Sequence, residues 1–374
     1  MIKLFEFSQF INGKNNICSK NFDFNKKYFC VVDCPSKVII YDVSSMKDII
    51  HISPIYENIE YSPEDIKAGL KSKCFSYAKF ISDEEVLIKG EYGDFFIYDI
   101  SKEACTWEYH GKNDETWGSG LILGETGEIL DKAYAYKKRS VFKGMPFFLN
   151  YRTGEVNLLE GYKEPEFSSH NGWTVTSGTL VKSSRENHAY LVDKYEIYDI
   201  DFVTHSANKL LDIDAIELED ADDAEYCSWE FVKCDSRCQN IILRRFKEHG
   251  DSTNERTIIL DMETKLQTLI DDSSDQRLKT KVYGYMHKNM IFDDTGRYLA
   301  VSISAQDSSY YKDNEFAFGA PFEGYIKIFD TVLRKEIYCN YDTEEEFYWI
   351  NAMKWSGDEL YVIANSGLYS MKMP

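Results

Sequence analysis

Six times along the chain, a short apolar segment ends in an aromatic or aliphatic residue followed by Asp or Asn. The copies are Val38-Ile-Ile-Tyr-Asp42, Phe95-Phe-Ile-Tyr-Asp99, Phe147-Phe-Leu-Asn150, Tyr195-Glu-Ile-Tyr-Asp199, Ile258-Ile-Leu-Asp261 and Ile326-Lys-Ile-Phe-Asp330. Successive anchors lie 57, 51, 49, 62 and 69 residues apart. A unit that recurs at such a period cannot bury its apolar face alone and must stack against its neighbours. Few folds accommodate that.

What flanks each anchor repeats as well. Asp42 through Ile50, Asp99 through Trp107, Asn150 through Leu158, Asp261 through Leu269 and Asp330 through Tyr338 align without gaps. Each reads as a strand, a turn opened by Asp or Asn, and a second strand. The anchor carboxylate or amide accepts the turn's own backbone N–H groups, so these acids are expected to be structural rather than catalytic. Upstream lies a second hairpin with a polar turn, as in Phe24-Asn-Lys-Lys-Tyr28, Phe292-Asp-Asp-Thr-Gly-Arg-Tyr298 and Cys234-Asp-Ser-Arg-Cys-Gln-Asn240. Each repeat is therefore four antiparallel strands, A to D, the unit of a propeller blade.

The repeat resembles the blades of WD40-like propellers, with Tyr-Asp, Leu-Asp or Phe-Asp standing where that family has Trp-Asp. The Gly-His dipeptide of that family is absent from its place in every blade. The expectation is an all-β, seven-bladed propeller forming a single domain over residues 1–374, with six or eight blades as alternatives. The seventh blade, Ile350–Trp355, Glu359–Ile363 and Gly367–Met371, has only three strands. Met1–Phe7 is strand-like and belongs to no blade, so it is expected to complete the last one and remove an exposed edge. The segments around Trp117–Tyr136 and Trp173–Val192 fit the repeat poorly. One short helix is expected at Ser62–Leu70, where Ser is the N-cap and Pro63 the first helical residue.

Alternating strand direction puts the A–B and C–D turns on one face, and the B–C loops and D-to-A crossovers on the other. The second face collects the long segments Ser53–Lys73, Tyr162–Gly172, Asp212–Glu225, Lys247–Glu255, Asp271–Lys281 and Gln306–Pro321. Long loops on a rigid scaffold are where binding resides. Asp212–Glu225 carries eight acids and no base, and 308–322 carries five aromatics. Asp220, Asp222 and Asp223, with Tyr310, Tyr311, Phe316, Phe318 and Phe322, are the candidate partner-binding residues. The acid run can equally be a solvated loop, and the aromatic loop can fold over its own blade.

Charge sets the partner class. The chain has 43 Lys+Arg against 63 Asp+Glu, a net charge of −20, which repels nucleic acid and attracts a basic protein. Basic doublets such as Arg244-Arg245 sit in or beside strands. No apolar run reaches the ~18 residues of a membrane span, and no secretory h-region follows Met1. The nine cysteines read as reduced thiols of a cytoplasmic protein. The pairs Cys30/Cys34 and Cys234/Cys238 lack the second pair that zinc requires, so no metal and no cofactor is expected. The seven histidines form no ligand motif, and no nucleophile elbow or phosphate loop is present. The reading is a non-catalytic protein-interaction platform. Its alternatives are an acidic immunity-type inhibitor of a basic toxin or effector, and a propeller hydrolase or lyase with a channel-mouth site assembled from distant blades.

Overall fold

The computed structural model describes residues 1–6, 21–33, 37–45, 47–53, 75–90, 93–110, 114–115, 121–125, 127–132, 134–136, 145–162, 173–175, 178–216, 218, 228–246, 255–271, 282–307, 322–340, 350–364 and 367–373. The expected helix at Ser62–Leu70 lies outside them. By its internal contacts the chain forms two compact units. One comprises 9–177 with 202–207, and the other comprises 1–8, 178–201 and 208–374.

Seven four-stranded antiparallel sheets follow one another in sequence, each in the order A-B-C-D. The fold is a seven-bladed β-propeller. Blade 1 is Asn21–Phe24, Tyr28–Asp33, Lys37–Asp42 and Lys47–Ile52; blade 2 is Phe75–Phe80, Glu85–Gly90, Phe95–Asp99 and Ala104–Tyr109. Blade 3 is Ile122–Leu123, Glu128–Asp131, Phe147–Asn150 and Val156–Leu158; blade 4 is Thr179–Lys182, His188–Val192, Glu196–Asp201 and Ser206–Asp212. Blade 5 is Glu230–Cys234, Asn240–Phe246, Glu255–Asp261 and Gln267–Asp271; blade 6 is Val282–Phe292, Tyr298–Asp307, Phe322–Asp330 and Lys335–Cys339. Blade 7 is Ile350–Ser356, Glu359–Ala364 and Gly367–Lys372, and its outer strand is Ile2–Glu6 from the other end of the chain. Ile2 pairs with Ser370 and Glu6 with Gly367, with a register shift between Lys3 and Phe5. The N-terminal strand is where the missing-strand argument put it.

The B and C strands are buried, as in Val38–Tyr41, Val86–Ile88 and Ile241–Leu243, because neighbouring blades within each unit pack their sheets face to face. The D strands alternate or are exposed, as in Ala104–Tyr109, because their outer edge meets solvent. Within the first unit, blades 1 and 2 share a core of Val32, Ile40, Phe75, Ile88 and Phe96. Blades 2 and 3 meet through Leu87, Phe95, Ile129 and Phe147. Within the second unit, Tyr190, Phe231, Ile241 and Ile258 join blades 4 and 5.

The anchor acids hold the C–D turns. Asp42, Asp99, Asn150, Asp261 and Asp330 each accept from the backbone N–H three residues on, at 2.8, 3.0, 3.1, 3.0 and 2.8 Å. Asp199 departs from the pattern. Strand C of blade 4 runs two residues further, to Asp201, which keeps Ile200 in the core, and the turn forms at Phe202–His205. The Asp199 carboxylate faces His188 and Arg185 instead, each at 3.1 Å.

The A–B turns use the same device and add a tie to the next blade. Asp235 accepts from the backbone of Arg237, Gln239 and Asn240, and Asp293 from that of Tyr298. Ser236 donates to the Asp294 carbonyl at 2.9 Å, and Asn25 to the Ser82 and Asp83 carbonyls. Gly296 occupies a left-handed turn (φ +74°) where a Cβ would lie 2.5 Å from the Asp235 carboxylate, so only glycine fits between these two blades.

The anchors have a measurable acid signature. Hydrogen bonds from Lys102 and Ser101 hold the Asp99 carboxyl down to about 2, from an ordinary 3.8. A depressed folded-state value stabilises the fold above pH ~4, and the contribution disappears as pH falls toward 2. Asp99→Ala is therefore expected to melt below wild type at neutral pH and to converge with it in acid, as followed by circular dichroism. Asp99→Asn, which keeps the acceptor oxygen, is expected to lose less at neutral pH.

One feature lies outside the blades. Asp114–Glu115, Tyr134–Tyr136 and Trp173–Val175 form a small antiparallel sheet, with Tyr134–Tyr136 in the middle. Its three strands come from the crossover into blade 3, the B–C connection of blade 3 and the crossover into blade 4. Topology places all three on the long-loop side.

Candidate interaction surface

The tight turns close one side of the blades, and the described strand ends confirm which segments leave the other. Ile52, Asp212, Phe246, Asp271 and Asp307 end strands that run toward the long-loop side, and the long segments begin there. Of the residues singled out from sequence, Asp220, Asp222, Asp223, Tyr310, Tyr311, Phe316 and Phe318 lie outside the described residues. Phe322 begins strand C of blade 6, its backbone paired with Gln306. The acid run is described only at its start: Asp212 caps a single 3₁₀ turn, Ile213–Ala215, by accepting from the Asp214 N–H.

The best-defined side chains on this side belong to blade 5. Their placement follows from the register. Glu230 opens strand A opposite Arg244, and Arg244 in turn lies opposite Thr257 of strand C. Arg245 lies directly opposite Arg256. Because side chains alternate along a strand, Glu230 and Arg244 share one sheet face, while Arg245 and Arg256 share the other.

On the first face, the Glu230 carboxylate lies 2.7 Å from Lys194 and 3.6 Å from Arg244. Lys194 comes from the B–C turn of blade 4, and its carbonyl accepts the Phe231 N–H at 2.8 Å, so this turn is strapped to the first strand of blade 5. The bond to Glu230, followed by that to Tyr195, raises the Lys194 ammonium above its ordinary value. Its charge also sits 5.1 Å from the Tyr195 ring centre, and Tyr195 is 43% exposed. On the second face, Arg245 is buried with its guanidinium 4.7 Å from the Trp229 ring centre, and Trp229 is itself buried. Arg256, half-buried beside it, has an enclosed Nε that makes no hydrogen bond.

Among the described side chains, Arg244, Arg245, Arg256 and Glu230 therefore lie at the loop-side end of blade 5, with Lys194 of the adjoining blade 4 turn beside Glu230. The Arg244-Arg245 doublet was visible in sequence as a basic pair in a strand. Arg256 carried no signal, because only the pairing of strands B and C sets it against Arg245.

Elsewhere on the loop side, one described ion pair serves packing. Lys89, next to last in strand B of blade 2, and Asp131, last in strand B of blade 3, meet at 2.6 Å, at 0% and 1% side-chain exposure. Burial lowers the Lys89 ammonium and raises the Asp131 carboxyl, while their mutual attraction opposes both shifts. Among the described residues, no group of three or more His, Cys, Asp or Glu side chains is arranged to hold a metal ion. No described helix is long and apolar enough to cross a membrane.

No family model matches the chain, and no curated protein matches its sequence. Solved structures do match the fold. The β-propeller domain of Cps50 (Swd1) from Myceliophteria thermophila is 12% identical, with a TM-score of 0.53, covering 96% of this chain and 99% of that one. The WD40 domain of Toxoplasma gondii coronin is 10% identical, with a TM-score of 0.52, covering 95% of this chain and 80% of that one. At these identities the likeness is one of architecture, that of a β-propeller.

Proposed function

We propose that this chain is a non-catalytic protein-interaction platform that receives a basic protein through its long-loop face. The observation that carries the reading is the asymmetry of the blades. Short turns locked by their own Asp and Asn side chains cap one side, whereas the long connections leave from the other. WD40-like propellers as a class are interaction scaffolds, which supports the general reading. The net charge of −20 supports a basic partner, since such a field speeds encounter with positive charge.

Affinity purification from the native cell, with mass spectrometry of what co-elutes, supplies the partner. Surface-plasmon kinetics at two salt concentrations then test the face. Asp220→Asn, Asp222→Asn and Asp223→Asn together are expected to slow association by about tenfold at low salt, with little effect near 1 M. Tyr310→Ala, Tyr311→Ala and Phe318→Ala together are expected to speed dissociation by roughly 10–100-fold, as for lost aromatic anchors. The control is Val332→Ser with Leu333→Ser, at exposed residues of a C–D turn on the opposite side. Loss of binding in the control, with wild-type binding by both loop variants, overturns the assignment of the face. A toxin or effector as the captured partner selects the inhibitor version of the reading.

A further inference from the structure

We propose that Cys234 and Cys238, at the A–B turn of blade 5, are a paired-thiol modification site that a hydroperoxide oxidises to an intramolecular disulfide. The inference is independent of the platform reading, because this turn lies on the short-turn side, away from the long loops.

Three observations carry it. The first is proximity. Cys234 ends strand A, is fully buried and belongs to the core that blades 4 and 5 share; half-buried Cys238 packs against that same core. The Cys238 N–H donates to the Asp235 carbonyl at 3.1 Å, which folds the chain back toward the strand end. A disulfide between residues so close in sequence requires such a closed turn, since its Cα atoms must come within ~7 Å. Burial, followed by the hydrogen bond with the Cys238 thiol, pushes the Cys234 thiol well above its ordinary value.

The second observation is the residue chosen at 238. Its backbone is left-handed (φ +55°), a conformation that side chains other than those of Asn and Asp adopt rarely. The other left-handed residues of the described A–B turns are Gly127, Asn187, Gly296 and Gly357. Gly296 holds the corresponding place in blade 6, where its N–H donates to the Asp293 carbonyl at 3.0 Å. Glycine would serve the blade 5 turn with less strain, so turn geometry does not account for the thiol.

The third observation is rigidity. Asp235 accepts from the backbone N–H groups of Arg237, Gln239 and Asn240 at 3.0, 2.9 and 3.1 Å. The Ser184 N–H donates to the Ser236 carbonyl at 2.6 Å, and the Asn240 side-chain amide to the Gly296 carbonyl at 3.3 Å. The turns of blades 4 and 6 thus hold this one from both sides. The two sulfurs are kept together before any oxidant arrives.

Exposure sets the order of events. The Cys238 sulfur attacks the hydroperoxide, the O–O bond breaks, and Cys238 becomes a sulfenic acid as an alcohol, or water from hydrogen peroxide, departs. The Cys234 sulfur then gives up its proton and attacks the Cys238 sulfur, and the sulfenic oxygen leaves as water. Two thiols lose two electrons and two protons, and the peroxide bond takes up both.

The test treats the full chain with hydrogen peroxide, blocks the remaining thiols with iodoacetamide and digests with trypsin. Cleavage after Lys233, Arg237 and Arg244 puts the two cysteines on separate peptides, Cys234–Arg237 and Cys238–Arg244. Wild type is expected to give these two peptides joined, lighter than their sum by two hydrogens and separated by dithiothreitol. Cys238→Ser is expected to leave Cys234 a thiol, because burial shields it from direct attack. Cys234→Ala is expected to stop at the Cys238 sulfenic acid, which dimedone traps. The wild-type result stands by itself should either variant fail to fold. Recovery of both wild-type peptides alkylated overturns the site, as does their joining to other cysteines instead of to each other. Linkage that forms in urea but not in the folded chain overturns it too. So does conversion of Cys238 to a sulfinic acid while Cys234 stays a thiol.

Discussion

A chain lacking residues 1–8 is expected to melt on the order of 10 °C below the full-length protein and to aggregate on heating. The expectation follows from the last blade. Residues Ile2–Glu6 pair along residues 367–370, and Met1 packs against the core that Leu360, Val362 and Trp355 share with blade 6. Removing the strand leaves a row of backbone donors and acceptors on residues 367–370 with no partner, at roughly 1 kcal/mol per lost ladder bond. It also turns an internal strand into an edge able to template pairing with other chains. Differential scanning calorimetry with light scattering reads both effects. Equal melting of the two proteins would show that the outer strand contributes nothing to blade 7.

The second large effect is expected at the buried pair between blades 2 and 3. Asp131→Ala or Lys89→Met alone should cost about 3–5 kcal/mol in urea unfolding, because each strands a charge in a fully enclosed site. The double variant Lys89→Met with Asp131→Leu should recover most of that loss, since apolar side chains of similar volume avoid the desolvation penalty. The double-mutant cycle should therefore show coupling well above the ~0.5 kcal/mol found for independent sites. Additive losses would mean that the two charges do not depend on one another, contrary to their 2.6 Å contact.

Most of the blade pattern was legible in the sequence, for a physical reason. A C–D turn needs an oxygen at its first position to accept one or two backbone N–H groups, so Asp or Asn recurs at Asp42, Asp99, Asn150, Asp261 and Asp330 regardless of what else changes. The orphan strand at the N-terminus was legible by counting, because a four-stranded unit with three strands demands one more. Blade 4 misled. Its Tyr-Asp at 198–199 looks like an anchor, but the alternation continues through buried Ile200, so burial and not the dipeptide decides where the strand ends. Blade 3 matched poorly because its first strand is only Ile122–Leu123, too short to show a period of two.

The candidate site divides in the same way. The long-loop face could be assigned from strand direction alone. The blade 5 arginines could not, because Arg245 and Arg256 are brought together by register across a loop, and one residue of slip would put them on opposite faces. The burial of Lys89 and Asp131 was equally invisible. Each lies at or next to the end of a strand where the sequence reads as the start of a polar loop, and only the packing of adjacent blades encloses them.

The small sheet of Asp114–Glu115, Tyr134–Tyr136 and Trp173–Val175 bears on how this surface can change over generations of substitution. Connections that leave a propeller singly can lengthen, shorten or be exchanged one at a time without disturbing the others. Here three connections are stitched together through their backbones, with Tyr134–Tyr136 holding both neighbours. An insertion in any one would shift the register of the other two. Around blade 3, then, the connections must diversify as a set, whereas connections outside this sheet are not bound by it and suit the grafting of new sequences.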